Sequence, residues 1–162
     1  MKIVCLILIL AMLLCGCSAA PTFETMADDH VQSAMGEERG ILLTLPEAAA
    51  AQAIRGDAGV IYLCDGFEVT TQILTAGDLS GTVQTLTGFA ADGLTVMATA
   101  ASEGTRYECV WTAAGEGGDV VGRAVILDDG LHHYCLTATA DADEAADLQE
   151  MWMQIFDSFR LA

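Results

Sequence analysis

Between Leu94 and Thr139 the chain runs through four β-rich stretches separated only by short, glycine-bearing turns. The stretches are Leu94–Ala101, Thr105–Ala113, Asp119–Leu127 and Leu131–Thr139, joined at Glu103-Gly104, at residues 115–118 and at Asp129-Gly130. Parallel neighbours need a crossover of about a dozen residues or more, and none of these turns has that length. The spacing therefore predicts an antiparallel meander of four strands. Asp141, with Glu144 three residues on, then predicts a capped terminal helix. Its Leu148, Trp152, Ile155, Phe156 and Phe159 form one apolar stripe, so the helix is expected to dock on the meander.

Turn length also sets a register, and register assigns faces because side chains alternate. On one face the expected rows are Ala100, Tyr107, Ile126 and His133, then Ala98, Cys109, Ala124 and Cys135. Val96, Trp111, Gly122 and Thr137 follow, then Leu94, Ala113, Val120 and Thr139. This face is apolar and mostly small, suited to a helical cover, with Trp111 opposite Gly122. The other face is half polar and gathers Arg106, Glu108, Arg123, His132 and Tyr134. These five residues are the candidate binding patch.

Upstream, Asp65-Gly66 separates Val60–Cys64 from Phe67–Leu74, a strong hairpin signal because both turn residues tolerate positive φ. Asp78 is placed to cap a helix carrying Leu79, Val83 and Leu86 on one side and stopping at Gly88. Ile41–Leu45 reads as a buried strand. Pro46 and the alanine-rich run Glu47–Arg55, ended by Gly56, predict a short helix. The fold class expected is α+β: an antiparallel sheet, made of the C-terminal meander plus the N-terminal hairpin, with helices packed on it.

Lys2 precedes an apolar run from Ile3 to Leu14, far short of the ~20 residues that span a bilayer. The run ends in Leu14-Cys15-Gly16-Cys17, which resembles the lipobox of bacterial lipoproteins. That resemblance implies cleavage before Cys17, acylation of its thiol by diacylglycerol and palmitate-type chains, and a protein held at the extracytoplasmic side of a membrane of the cell envelope. Residues 1–16 are then the signal peptide, 17–36 the lipidated N-terminus and tether, and 37–162 a single domain. An ordinary secretory signal cut near Ser18-Ala19-Ala20 is the competing reading.

With Lys2 removed, five arginines stand against 23 acids, a net charge of −18. Such a field repels nucleic acid and anionic headgroups, so contact with the membrane is expected through the lipid alone. Three thiols remain in the mature domain, Cys64, Cys109 and Cys135. The expected register separates Cys109 from Cys135 by two strands, ~9.5 Å between Cα atoms, beyond the ~7 Å limit for a disulfide. If a bridge forms, Cys64 is expected to supply one half, with Cys109 or Cys135 as its partner.

The meander and the helix that follows it, ending Ile155-Phe-Asp-Ser-Phe-Arg-Leu161, resemble the PsbP/Mog1-like α/β group, which includes many small bacterial lipoproteins. The resemblance implies helices packed on an antiparallel sheet and docking or accessory roles more often than catalysis. No binding residues carry over from it.

Chemistry is sparse. His133, Cys135 and Cys109 share a face, yet zinc needs a fourth ligand and tighter clustering. No metal or other cofactor is expected. Asp141, Asp143 and Glu144 lack the glycine and the closing glutamate of a calcium loop. The sequence contains no Gly-x-Ser-x-Gly, His-Glu-x-x-His or phosphate-loop pattern. The function expected is that of a membrane-anchored, non-catalytic binding or accessory domain with an envelope protein as partner; the alternative is a carrier of a small ligand or cation.

Overall fold

The computed structural model describes residues 36–46, 53–56, 59–115 and 117–162. The signal peptide, Cys17, the tether and residues 47–52 of the expected short helix lie outside them. Nine strands and three α-helices follow in chain order among the described residues. The first half holds β1 (Ile41–Leu42), β2 (Ala53–Gly56), β3 (Gly59–Leu63), β4 (Phe67–Thr75) and α1 (Leu79–Thr87), then a 3-10 turn at Ala91–Gly93. The meander is β5 (Met97–Ala101), β6 (Gly104–Ala114), β7 (Asp119–Asp128) and β8 (His132–Asp141). Two short helices, α2 (Ala142–Ala145) and α3 (Gln149–Ser158), lead to β9 (Arg160–Leu161).

Seven strands form one sheet in the order β2-β3-β4-β8-β7-β6-β5, and every neighbouring pair is antiparallel. The expected meander and hairpin are both present. They are joined by β4 lying along the whole of β8, from Phe67↔Ala140 to Thr75↔His132. Gly66 has φ 79°, the left-handed conformation the hairpin turn requires.

Register holds at β6–β7, where Cys109 faces Ala124 and Trp111 faces Gly122. It is displaced by two residues on either side. Ala98 rather than Ala100 pairs with Tyr107. Ile126 rather than Ala124 pairs with Cys135. The β7–β8 turn is wider than Asp129-Gly130 because its aspartates close it with their own side chains. Asp129 Oδ1 accepts the N–H groups of Leu131 and His132, and Asp128 Oδ1 accepts that of Gly130. A shift of two residues leaves every side chain on its expected face.

Each face carries a helix. On the small-residue face, α1 buries Val83 against Ile126 and Cys135, while Leu86, Leu94 and Val96 cover Cys109, Trp111 and Ala124. Asp78 caps α1 through Ser80 N–H, and Gly88 closes it at φ 77°. The terminal helix takes the half-polar face. Trp152, Ile155 and Phe156 of α3 pack on Val69, Val125, Leu127, Tyr134, Leu136 and Ala138.

Three expectations are corrected. Ala53–Gly56 is a strand, not the end of a helix, because Ile54 and Arg55 find a partner in β3. Only Ile41–Leu42 of the expected strand Ile41–Leu45 is extended in a ladder, and its partner is the chain end, β9. The single terminal helix is two. Asp141 makes no side-chain cap, α2 ends after one turn, and α3 restarts at Gln149.

Candidate functional site

The five residues of the expected patch share one face but form two separate groups. Glu108 stands between two arginines, its Oε1 2.7 Å from Arg106 Nε and its Oε2 2.9 Å from Arg123 Nη2. Arg106 Nη2 also donates to the Phe156 carbonyl at 3.1 Å, and the Arg123 guanidinium lies 4.5 Å from the centre of the Phe156 ring. This trio fastens α3 to the sheet. Burial pushes the Glu108 carboxyl up, but the two guanidinium groups outweigh burial and hold it below its ordinary value.

Leu127 separates the trio from the second group, since Arg106, Leu127 and Tyr134 occupy one row across three strands. Tyr134 is fully buried. Its hydroxyl accepts from Arg39 N–H at 3.0 Å and donates to Asp129 Oδ2 at 3.1 Å. The His132 ring packs beside Tyr134 at 5.8 Å between centroids. These contacts tie the β7–β8 turn to the segment entering β1. They are structural, and Tyr134 offers no surface to a partner.

On the opposite face a hydroxyl, an imidazole and a carboxylate are aligned, an arrangement absent from the sequence reading. Thr82 Oγ1 lies 2.7 Å from His133 Nδ1, and His133 Nε2 lies 3.7 Å from Asp128 Oδ2. The order resembles a nucleophile with its base, yet His133 is 1% exposed and Thr82 is buried. A nucleophile must meet its substrate, and none of the three cavities below is lined by these residues. The trio locks α1 to β8.

Cys64, Cys109 and Cys135 are all free in this structure. Cys64 packs with the α3-side core, whereas Cys109 and Cys135 belong to the α1 side, so the sheet itself lies between them. Burial raises all three thiols, Cys135 to about 12. Among the described residues no group of three or more His, Cys, Asp or Glu side chains is arranged to hold a metal. No helix among them is long and apolar enough to cross a membrane.

Three cavities lie among the described residues. The largest, about 780 Å³, lies between Ile41–Pro46 and β2–β4. Residues 47–52 and 57–58, which join those elements, lie outside the described ones. A second, about 420 Å³, sits over Cys64, Phe67, Asp141 and Glu144. The third, about 430 Å³, is built wholly from well-defined elements. Its floor is Met97, Val110 and Val121 from β5, β6 and β7, and its wall is Ala145, Gln149 and Trp152, where α2 passes into α3. Glu108 and Arg123 form its polar end.

This groove exists because α3 covers β7, β8 and β4 but leaves the half-polar face of β5 and β6 open. Met97 is 59% and Val110 58% exposed. Met153, one turn beyond Gln149 on the same helix flank, is also exposed. The arrangement offers apolar contact beside a charge-neutralised polar end, the usual make-up of a recognition surface. Glu108 and Arg123 were legible as members of the half-polar face. The groove they line with Met97, Val110 and Trp152 was not, because it depends on where the helix breaks.

No family model and no curated protein sequence matches the chain. Solved structures do. The Ran-binding protein Mog1p of Saccharomyces cerevisiae is 12% identical with a TM-score of 0.50, over 78% of this chain and 96% of that one. LpqN of Mycobacterium tuberculosis, described as involved in cell envelope biogenesis, is 14% identical with a TM-score of 0.50, over 79% and 87%. The cyanobacterial PsbP of Synechocystis is 11% identical with a TM-score of 0.49, over 76% and 82%. At such identities the likeness to Mog1p and LpqN speaks for the fold alone, and on that ground the chain has a Mog1-like α+β fold.

Proposed function

We propose that this chain is an exported lipoprotein, anchored through lipid on Cys17 in the cell envelope, whose domain (residues 37–162) is a non-catalytic binding or accessory module. The observation that carries the reading is the open apolar groove of Met97, Val110 and Trp152 beside Glu108 and Arg123. The reading is supported further by the closed character of the Thr82–His133–Asp128 trio, whose hydroxyl and imidazole are buried away from the three cavities. Two neighbours in the same fold lend weight, one named for binding Ran and one for envelope biogenesis.

A photo-reactive residue at position 110 in intact cells tests the groove. The expected result is one discrete adduct, lost in Met97→Asp and absent when the probe sits at Gln154 on the solvent side of α3. Mass spectrometry of the detergent-extracted protein tests the anchor, with an N-terminus at Cys17 carrying acyl chains expected. A mature N-terminus beyond residue 17 without lipid would remove the envelope tether from the reading. Carriage of a cation is favoured by the acid excess. A thermal shift with divalent cations alone, about 2.7 kcal/mol at a hundredfold excess over the dissociation constant, would move the reading to a carrier.

A further inference from the structure

We propose that the free edge of β5, Met97–Ala101, receives an extended, basic segment of a partner protein as an additional strand of the sheet. This deepens the binding-module reading and rests on it. Among the described residues β5 is the last strand of the seven-stranded order and pairs only with β6. All five of its residues are exposed. At ~3.4 Å per residue it presents a row of unpaired N–H and C=O groups ~17 Å long.

Native proteins protect such edges with charge, proline, a bulge, an inward-pointing charge or a covering element. β5 reads Met-Ala-Thr-Ala-Ala, without charge or proline, in unbroken register with β6. The opposite edge, β2, is guarded by Arg55. An unguarded edge of average strand length is what strand addition uses, with backbone groups giving affinity and alternate side chains giving specificity. Met97 and Thr99 pair with Glu108 and Arg106, so they lie on the groove side. Every second side chain of an added strand would therefore extend the floor made by Met97 and Val110.

Charge selects the occupant. The chain carries −17 overall, and exposed Asp92 precedes β5, while half-buried Glu103 beyond its other end is engaged by Arg39 at 3.9 Å and by Leu161 N–H. A second copy would bring the same negative field against itself, whereas a basic segment is steered in.

The probe is a ten-residue synthetic peptide alternating valine with lysine or threonine, compared with the same peptide bearing glutamate for lysine. Hydrogen exchange is followed by NMR on the full chain. The lysine peptide is expected to slow exchange in β5 by tenfold or more, and the glutamate peptide to leave it unchanged. Ala98→Lys and Ala100→Lys, each placing a guard on an exposed edge position, should abolish the effect while the melting temperature holds. Equal protection by both peptides, or by neither, overturns the proposal. So does protection without peptide: dependence on protein concentration would assign the edge to a second copy, and loss on deleting residues 18–35 would assign it to the chain's own N-terminal stretch. If position 110 still captures a partner in cells while the lysine peptide fails, the edge proposal falls alone and the groove reading stands.

Discussion

Trp111 lies across Gly122 on the β6–β7 pair, its indole occupying the space that a Cβ on Gly122 would need. The ring is buried, with Leu86, Leu94 and Val96 above it. Gly122→Ala must therefore displace the indole or part the strands. Overpacking of this kind costs about 1–3 kcal/mol, read as a lower urea midpoint at unchanged slope. Combining it with Trp111→Leu should cost less than the sum of the two single changes, because the second removes the atoms the first collides with. Full additivity would show that the ring and the glycine are independent.

This pair also marks how far the sequence could be read. The turn at residues 115–118 has glycine at both ends and set the β6–β7 register correctly, so Trp111 met Gly122 as expected. The next turn misled because Asp128 and Asp129 bond the backbone around them, widening the loop by two residues. Chain pattern does not reveal that choice. Ala53–Gly56 was lost to local propensity, since alanine favours a helix until a partner strand is available. The groove was illegible for a third reason: it is a gap left by the break between α2 and α3, not a motif.

Thr82 and His133 give a prediction that separates packing from hydrogen bonding. Thr82→Val keeps the shape of the side chain and removes the hydroxyl 2.7 Å from the buried imidazole. An unsatisfied ring nitrogen in the core costs about 1–3 kcal/mol. Thr82→Ser retains the hydroxyl and loses one methyl, so it should destabilise less than Thr82→Val. The reverse order in thermal denaturation would mean that the methyl, not the hydrogen bond, holds α1 to β8.

The three thiols should be chemically quiet. With Cys135 pushed up to about 12 by burial and Cys109 also raised, neither holds an appreciable thiolate population at neutral pH. Iodoacetamide at pH 7.5 is expected to leave both unmodified in the folded protein and to alkylate Cys64, Cys109 and Cys135 in 6 M guanidinium. Non-reducing peptide mapping should find no peptide joining Cys64 to either. Rapid native alkylation of Cys135 would require an opening of the α1 layer that its packing does not provide.

The Arg106–Glu108–Arg123 trio predicts a specific acid dependence. Glu108 is held below its ordinary value in the folded state, so its contribution is complete above the unfolded pKa of about 4.3 and is lost as pH falls through the folded value. Glu108→Gln keeps the shape but leaves two guanidinium groups without an anion. The side chains are about a quarter exposed or less, so screening trims the cost at pH 7 to about 1–2 kcal/mol. The other carboxylates titrate in both proteins, and protonating them relieves the repulsion of a strongly negative chain whichever residue is at 108. The difference between wild type and Glu108→Gln isolates the trio. Urea midpoints should differ by a constant amount from pH 7 to pH 5 and converge below about pH 4. Identical midpoints for the two proteins from pH 7 to pH 3 would mean that Glu108 acts through shape alone and that α3 is held by its apolar stripe.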